Sequence, residues 1–173
     1  MNGRHRWRTS LIAMWVVAAP VLTAQETQIG LPLGAKPDAP TIEDLDGRPV
    51  SLTRYVGGKP LVVEFWATWC PVCEELLPRM ADAHRRYGER AEFLAIAVAV
   101  NQTQRGIRRH LERHPLPFPV LWDAGGRAVR AFMAPTTSYV VVLDREGRVV
   151  YTGTGEDQDI AAAVERAVLG PAP

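Results

Sequence analysis

The apolar run Leu61-Val62-Val63 leads through Glu64-Phe65-Trp66-Ala67-Thr68-Trp69 into Cys70-Pro71-Val72-Cys73, and these two cysteines are the only ones among 173 residues. If a strand here hands the chain to a helix that begins at Cys70, both sulfurs lie on one helical face, one turn apart, within reach of a small disulfide ring. Cys70 then occupies the helix N-terminus, where unpaired backbone N–H groups and the macrodipole favour negative charge, so its thiolate is stabilised for attack. Cys73, one turn inside, is the buried partner that resolves a mixed disulfide. Such a junction of strand, cysteine pair and helix reads as a redox site.

Other uses of two cysteines fit less well. A zinc site needs four ligands, there is no second cysteine pair, and His84, His110 and His114 do not stand at finger-like spacing from Cys73, so no metal is expected. A structural disulfide usually closes a long loop, and a two-residue gap constrains little. The rival class is a copper chaperone or maturation factor, since two thiolates suit Cu(I) and Met133 offers a further soft ligand. A bland third reading is an interaction domain whose pair stays oxidised. On the redox reading no cofactor is needed beyond the Cys70–Cys73 pair.

The beginning of the chain speaks to compartment. Arg4, His5, Arg6 and Arg8 precede an apolar stretch from Leu11 to Leu22 that ends at Thr23-Ala24. A core of about a dozen residues is short of the roughly 20 that a spanning helix needs, which favours a cleaved leader over residues 1–24. Leu22 stands where a small residue is usual before the cleavage site, so an N-terminal anchor through residues 11–24 is the alternative. In either case the remainder lies outside the cytoplasm, where disulfides persist and a dithiol depends on a dedicated electron donor. Losing the three leader arginines takes the formal charge from +1 to about −2, which does not suit nucleic acid. The remaining chain is enough for one domain and too short for two.

Residues 25–38 have linker composition, with Gly30, Pro32, Gly34 and Pro37, and the domain is expected over 39–170. Thr41 to Leu45 and Pro49 to Leu52 form a hairpin around Asp46-Gly47, a pair that supplies the positive φ angles of a tight turn. Leu61 to Phe65 and Phe93 to Val100 are continuous apolar runs suited to buried strands. A helix is expected from Cys70 to about Tyr87, kinked at Pro78 and ended by Gly88, and another from Thr103 to His114 with Ile107 and Leu111 inward and Arg105, Arg108, Arg109 and Arg113 outward. Val120 to Trp122 is a short strand and Arg127 to Phe132 a short helix. Tyr139 to Leu143 pairs with Arg148 to Tyr151, and a last helix runs from about Asp157 to Leu169. Alternating strands and helices closed by a hairpin and a helix make an α/β layer sandwich. Trp66 and Trp122 are core candidates, whereas Trp69 forms surface beside Cys70.

Five segments carry a family pattern: Pro37-Asp38-Ala39-Pro40, Asp46-Gly47-Arg48-Pro49-Val50-Ser51-Leu52, Phe65 to Cys73 with Pro78 after it, Leu116 to Leu121, and Asp144 to Val150. In them the chain resembles the thioredoxin superfamily, and within it the exported TlpA/ResA/CcmG-like thioredoxins. The resemblance implies a three-layer sandwich with a central mixed sheet and an N-terminal β-hairpin extension. It also implies a thiol:disulfide oxidoreductase acting on exported protein thiols and disulfides, including those of cytochrome or copper-site maturation, and recharged by a membrane thiol–disulfide donor. Pro71-Val72 places no positive charge between the cysteines, which argues for reduction rather than oxidation of partners.

Two departures from the family pattern stand out. Many exported members carry Glu three residues after the second cysteine, where this chain has Leu76; Glu64 instead stands where ordinary thioredoxins keep a buried Asp. In an apolar strand its ionised form is disfavoured, which raises its pKa toward the thiol range and suits proton exchange with Cys73. The family also places a cis-proline beside the disulfide, and counting back from Asp144 to Gly147 and forward from Phe132 lands on Ser138. Pro135 lies three residues earlier, and an odd slip would turn the next strand inside out. A non-proline cis bond costs about 3–4 kcal/mol, so Thr137–Ser138 is expected trans, with a longer loop around Pro135 as the alternative. The expected site is Cys70, Cys73 and Glu64 for chemistry, with Trp69, Pro71, Pro135, Thr137 and Ser138 meeting the partner. The 134–138 loop is expected against the Cys70 sulfur, and Ser138→Pro is expected to alter exchange rate more than melting temperature.

Overall fold

The computed structural model describes residues 30–170. The leader-like segment and its expected cleavage after Ala24 lie outside the described residues. Seven strands, β1 (Thr41–Asp44), β2 (Pro49–Ser51), β3 (Leu61–Trp66), β4 (Glu92–Val98), β5 (Val120–Asp123), β6 (Tyr139–Leu143) and β7 (Val149–Gly153), form one sheet in the order β2-β1-β5-β4-β3-β6-β7. Helices α1 (Pro71–Tyr87), α2 (Gln104–Arg113), α3 (Arg127–Ala131) and α4 (Ile160–Leu169) flank it. The result is a thioredoxin-like α/β fold with a mixed central sheet and an N-terminal β-hairpin.

β3 lies near the middle of the sheet, parallel to β4 and antiparallel to β6, and all six of its residues are buried. That explains its lack of polar alternation: both faces are covered, so both call for apolar side chains, and Glu64 is the one exception. Phe65 packs against Phe132 and Tyr139, with ring centroids 5.8 and 6.0 Å away. Trp66 and Trp122 are both buried, as expected. The hairpin is built into the sheet, because β1 also pairs antiparallel with β5.

The structure refines several local expectations. In the β1–β2 turn only Gly47 takes a positive φ; Asp44 closes the loop by accepting from the Asp46 and Arg48 N–H groups. Asp144 closes the β6–β7 turn in the same way, accepting from Glu146 and Arg148. Gly88 ends α1 without a left-handed conformation; a Cβ there would stand 2.7 Å from the His84 carbonyl oxygen, so close approach explains the glycine. α4 starts at Ile160, later than Asp157, because the Asp159 side chain caps it by accepting from the Ala162 N–H. The glycine- and proline-rich stretch ahead of the hairpin has no regular element yet is docked on the domain. Leu31 is buried with its N–H donating to the Tyr139 hydroxyl, and Gly34 and Ala35 exchange backbone hydrogen bonds with Val149.

Candidate active site

At the end of β3 the chain turns through Ala67-Thr68-Trp69 into α1, and Cys70 and Cys73 form a disulfide with Cα atoms 5.3 Å apart. Cys70 is the N-cap of α1, and its sulfur accepts from the Cys73 N–H at 3.1 Å. Pro71 at the first helical position has no N–H to leave unpaired there. The Cys70 sulfur thus already receives the kind of hydrogen bond that stabilises a thiolate once the disulfide opens. Cys70 is 3% exposed and Cys73 1%.

Loop 99–103 holds the turn before Cys70. Gln102 accepts from the Thr68 N–H and hydroxyl, each at 3.0 Å, and donates to the Val98 carbonyl. Trp69 is 46% exposed, yet its indole N–H donates to the Val100 carbonyl at 2.7 Å, so its ring is fixed as surface beside Cys70. Gln102 was not legible from the sequence, since an amide in a loop carries no spacing signal.

Glu64 is 1% exposed, and its Oε1 has no hydrogen-bond partner. Burial pushes its pKa up to about 8, into the thiol range. The carboxyl lines a cavity of about 230 Å³ together with Cys73, Trp66, Glu74, His110 and His114. A buried carboxyl with a raised pKa therefore shares a cavity with the inner cysteine. Among the described residues no cluster of three or more His, Cys, Asp or Glu side chains suits a metal ion.

The 133–138 loop meets one expectation, since Thr137–Ser138 is trans, and departs from others. Peptide bonds among the described residues are all trans, so neither Ser138 nor Pro135 is a cis residue. Ser138 takes φ +59 instead, a left-handed conformation uncommon outside glycine. It sits just before β6, its N–H donating to the Phe65 carbonyl at 2.8 Å, which places it next to the strand that delivers Cys70. Its hydroxyl accepts from Gly155 N–H at 3.1 Å and its carbonyl from Gln158 Nε2 at 2.9 Å, while Gln158 accepts from the Tyr151 hydroxyl. Ser138 is 3% exposed, Thr137 half-buried and Pro135 exposed. These bonds correct the expectation for Ser138→Pro: proline cannot reach φ +59 and has no N–H for Phe65, so the substitution costs stability first.

Comparisons with known proteins agree with this geometry. Residues 33–168 match the Redoxin family model. The chain is similar to thiol-disulfide oxidoreductase ResA of Halalkalibacterium halodurans, 31% identical over 114 residues that cover 66% of this chain and 64% of that one. It thus spans a little under two thirds of this relative's length. A crystal structure of a thioredoxin-family thiol:disulfide interchange protein from Chlorobium tepidum is 27% identical, with a TM-score of 0.61 over 78% of this chain and 98% of that one. The thioredoxin domain of a Bacteroides vulgatus thiol-disulfide oxidoreductase shares the fold, with a TM-score of 0.68 at 20% identity over 80% of this chain and 99% of the other.

Proposed function

We propose, since the chain belongs to the redoxin family of the thioredoxin superfamily, that it is a thiol-disulfide oxidoreductase that reduces disulfides of proteins outside the cytoplasm. The observation that carries the reading is the pairing of a helix-capping Cys70 with a buried, unpartnered Glu64 that shares a cavity with Cys73. In the reduced protein the Cys70 thiolate attacks a partner disulfide, forming a mixed disulfide and releasing one partner thiolate, which takes a proton from solvent. Glu64, in its ionised form, then takes the Cys73 proton, and the Cys73 thiolate attacks the Cys70 sulfur. The Cys70–Cys73 bond forms, the second partner thiolate leaves, and two electrons have passed to the partner.

Trp69 and the stretch from Pro135 to Thr137 offer the surface on which the partner strand rests, with the buried Ser138 fixing that stretch from beneath and Pro71 keeping the helix start rigid. Electrons return through a membrane thiol–disulfide donor, and residues 1–24 serve either as a removed leader or, through 11–24, as an attachment to that membrane. A midpoint potential of about −250 mV or lower fits a reductant, and one near about −120 mV marks an oxidant. Trapping tests the chemistry. Cys73→Ser should accumulate mixed disulfides through Cys70 and Cys70→Ser should not; if neither variant traps a partner, and the wild-type pair ignores a dithiol reductant, the reading fails.

A further inference from the structure

A carboxyl that cycles protons needs a way out, and β3 seals Glu64 in: Val62, Val63 and Phe65 beside it have no exposed surface. The opening lies toward α2. His110 is half-buried, its ring set edge-on to Trp66 at 5.5 Å, and the ring of His114, one turn further along the helix, is 4.8 Å from it. His114 is exposed. His110 lines two spaces at once: the inner cavity with Glu64 and Cys73, and an outer polar groove of about 420 Å³ bordered by Thr68, Gln102 and Arg113. The molecule thus holds a graded row of a buried carboxyl, a cavity large enough for several waters, a half-buried imidazole and an exposed one.

We propose that His110, backed by His114, is the outlet through which Glu64 passes to solvent the proton it takes from Cys73. The inference rests on the proton-relay reading of Glu64 given above. When Cys73 attacks the mixed disulfide, its S–H proton moves to a Glu64 oxygen; water in the cavity then carries that proton to a free ring nitrogen of His110, which releases it to bulk. Recharging runs the path backward, and no further oxidant or reductant is involved. The groups around His110 suit this task. Burial holds its pKa below the ordinary histidine value, His114 and Arg113 on its own helix act in the same direction, and Glu74 on α1 acts against them. The lowered pKa keeps a ring nitrogen free and makes the protonated ring quick to give its proton up to bulk. It shares the inner cavity with Glu64 and Trp66 of β3, with Cys73, Glu74 and Leu77 of α1, and with the uncharged Leu116 after α2.

The test separates the two cysteine steps. The reduced full chain reacts with the chromogenic disulfide DTNB, whose first thiolate release reports Cys70 attack and whose second reports Cys73. His110→Phe keeps a ring against Trp66 without a titratable nitrogen, and His110→Ala leaves room for added imidazole. In both variants the ratio of second to first release rate should fall about tenfold at pH 7, less than the roughly hundredfold loss of a direct base. Imidazole should restore His110→Ala and not His110→Phe. If both variants keep the wild-type ratio while Glu64→Gln lowers it, Glu64 reaches solvent without His110 and the outlet is overturned alone. If Glu64→Gln itself keeps the wild-type ratio, the relay reading falls and takes the outlet with it. A loss that imidazole does not restore assigns His110 to packing and also overturns the proposal.

Discussion

The two sulfurs stand one helical turn apart in one ring and sit in opposite surroundings. Around Cys70 nearly everything is a hydrogen bond: the Cys73 N–H to its sulfur, Gln102 to Thr68, Trp69 to Val100, and Ser138 to Phe65. Around Cys73 a cavity mixes Trp66, Leu77 and Leu116 with Glu64, Glu74, His110 and His114, and Glu64 has an oxygen with no partner at all. The difference teaches how one chain makes two thiols unlike. Fixed donors at a helix N-terminus favour the anion at the outer sulfur, whereas burial beside the inner sulfur raises the pKa of Glu64 toward the thiol range.

Removing the acid should break this contrast most. Glu64→Gln should slow resolution by Cys73 about a hundredfold near pH 7, read as the second release from DTNB. It should also change how stability depends on pH. The ordinary carboxyl value is 4.5 and the folded value about 8, so between these the unfolded chain has lost a proton that the folded chain retains. Wild-type stability therefore falls as pH rises through that window, and the glutamine variant lacks the slope. Its advantage over wild type should grow from pH 5 to pH 9 to at most about 5 kcal/mol, measured by urea unfolding of the oxidised forms.

The outer side should respond more mildly. Ser138→Pro removes the bond to Phe65 and forces the backbone out of φ +59, for a loss of about 3 kcal/mol. In a domain of this size that is a fall of roughly 10 °C in Tm, and a Tm equal to wild type would mean the loop rearranges freely. Gln102→Ala should be the smallest, about 1 kcal/mol, because Thr68 loses one protein acceptor at a site water can partly reach. If Gln102→Ala instead slowed Cys73 more than Cys70, measured by the two DTNB releases, the division into a hydrogen-bonded outer side and a desolvated inner side would fail.

Local chemistry was readable from the chain alone wherever it depends on near neighbours. The spacing of Cys70 and Cys73 after an apolar strand placed both at the start of a helix, and Asp144 to Gly147 marked a turn, because helix starts and turns are decided within a few residues. Glu64 was visible as the one acid in an otherwise apolar run for the same reason. What surrounds these residues comes from far along the chain. Gln102 reaches Thr68 across 34 residues, Gln158 holds Ser138 across 20, and His110 packs against Trp66 and lines the Glu64 cavity only because α2 folds back over the end of β3. The φ of Ser138 belongs to this second class: the count from flanking motifs located the residue, but its left-handed backbone is imposed by bonds to β3, Gly155 and Gln158. Periodicity and spacing carry no information about such long-range contacts, which exist only once the sheet has brought the loops together.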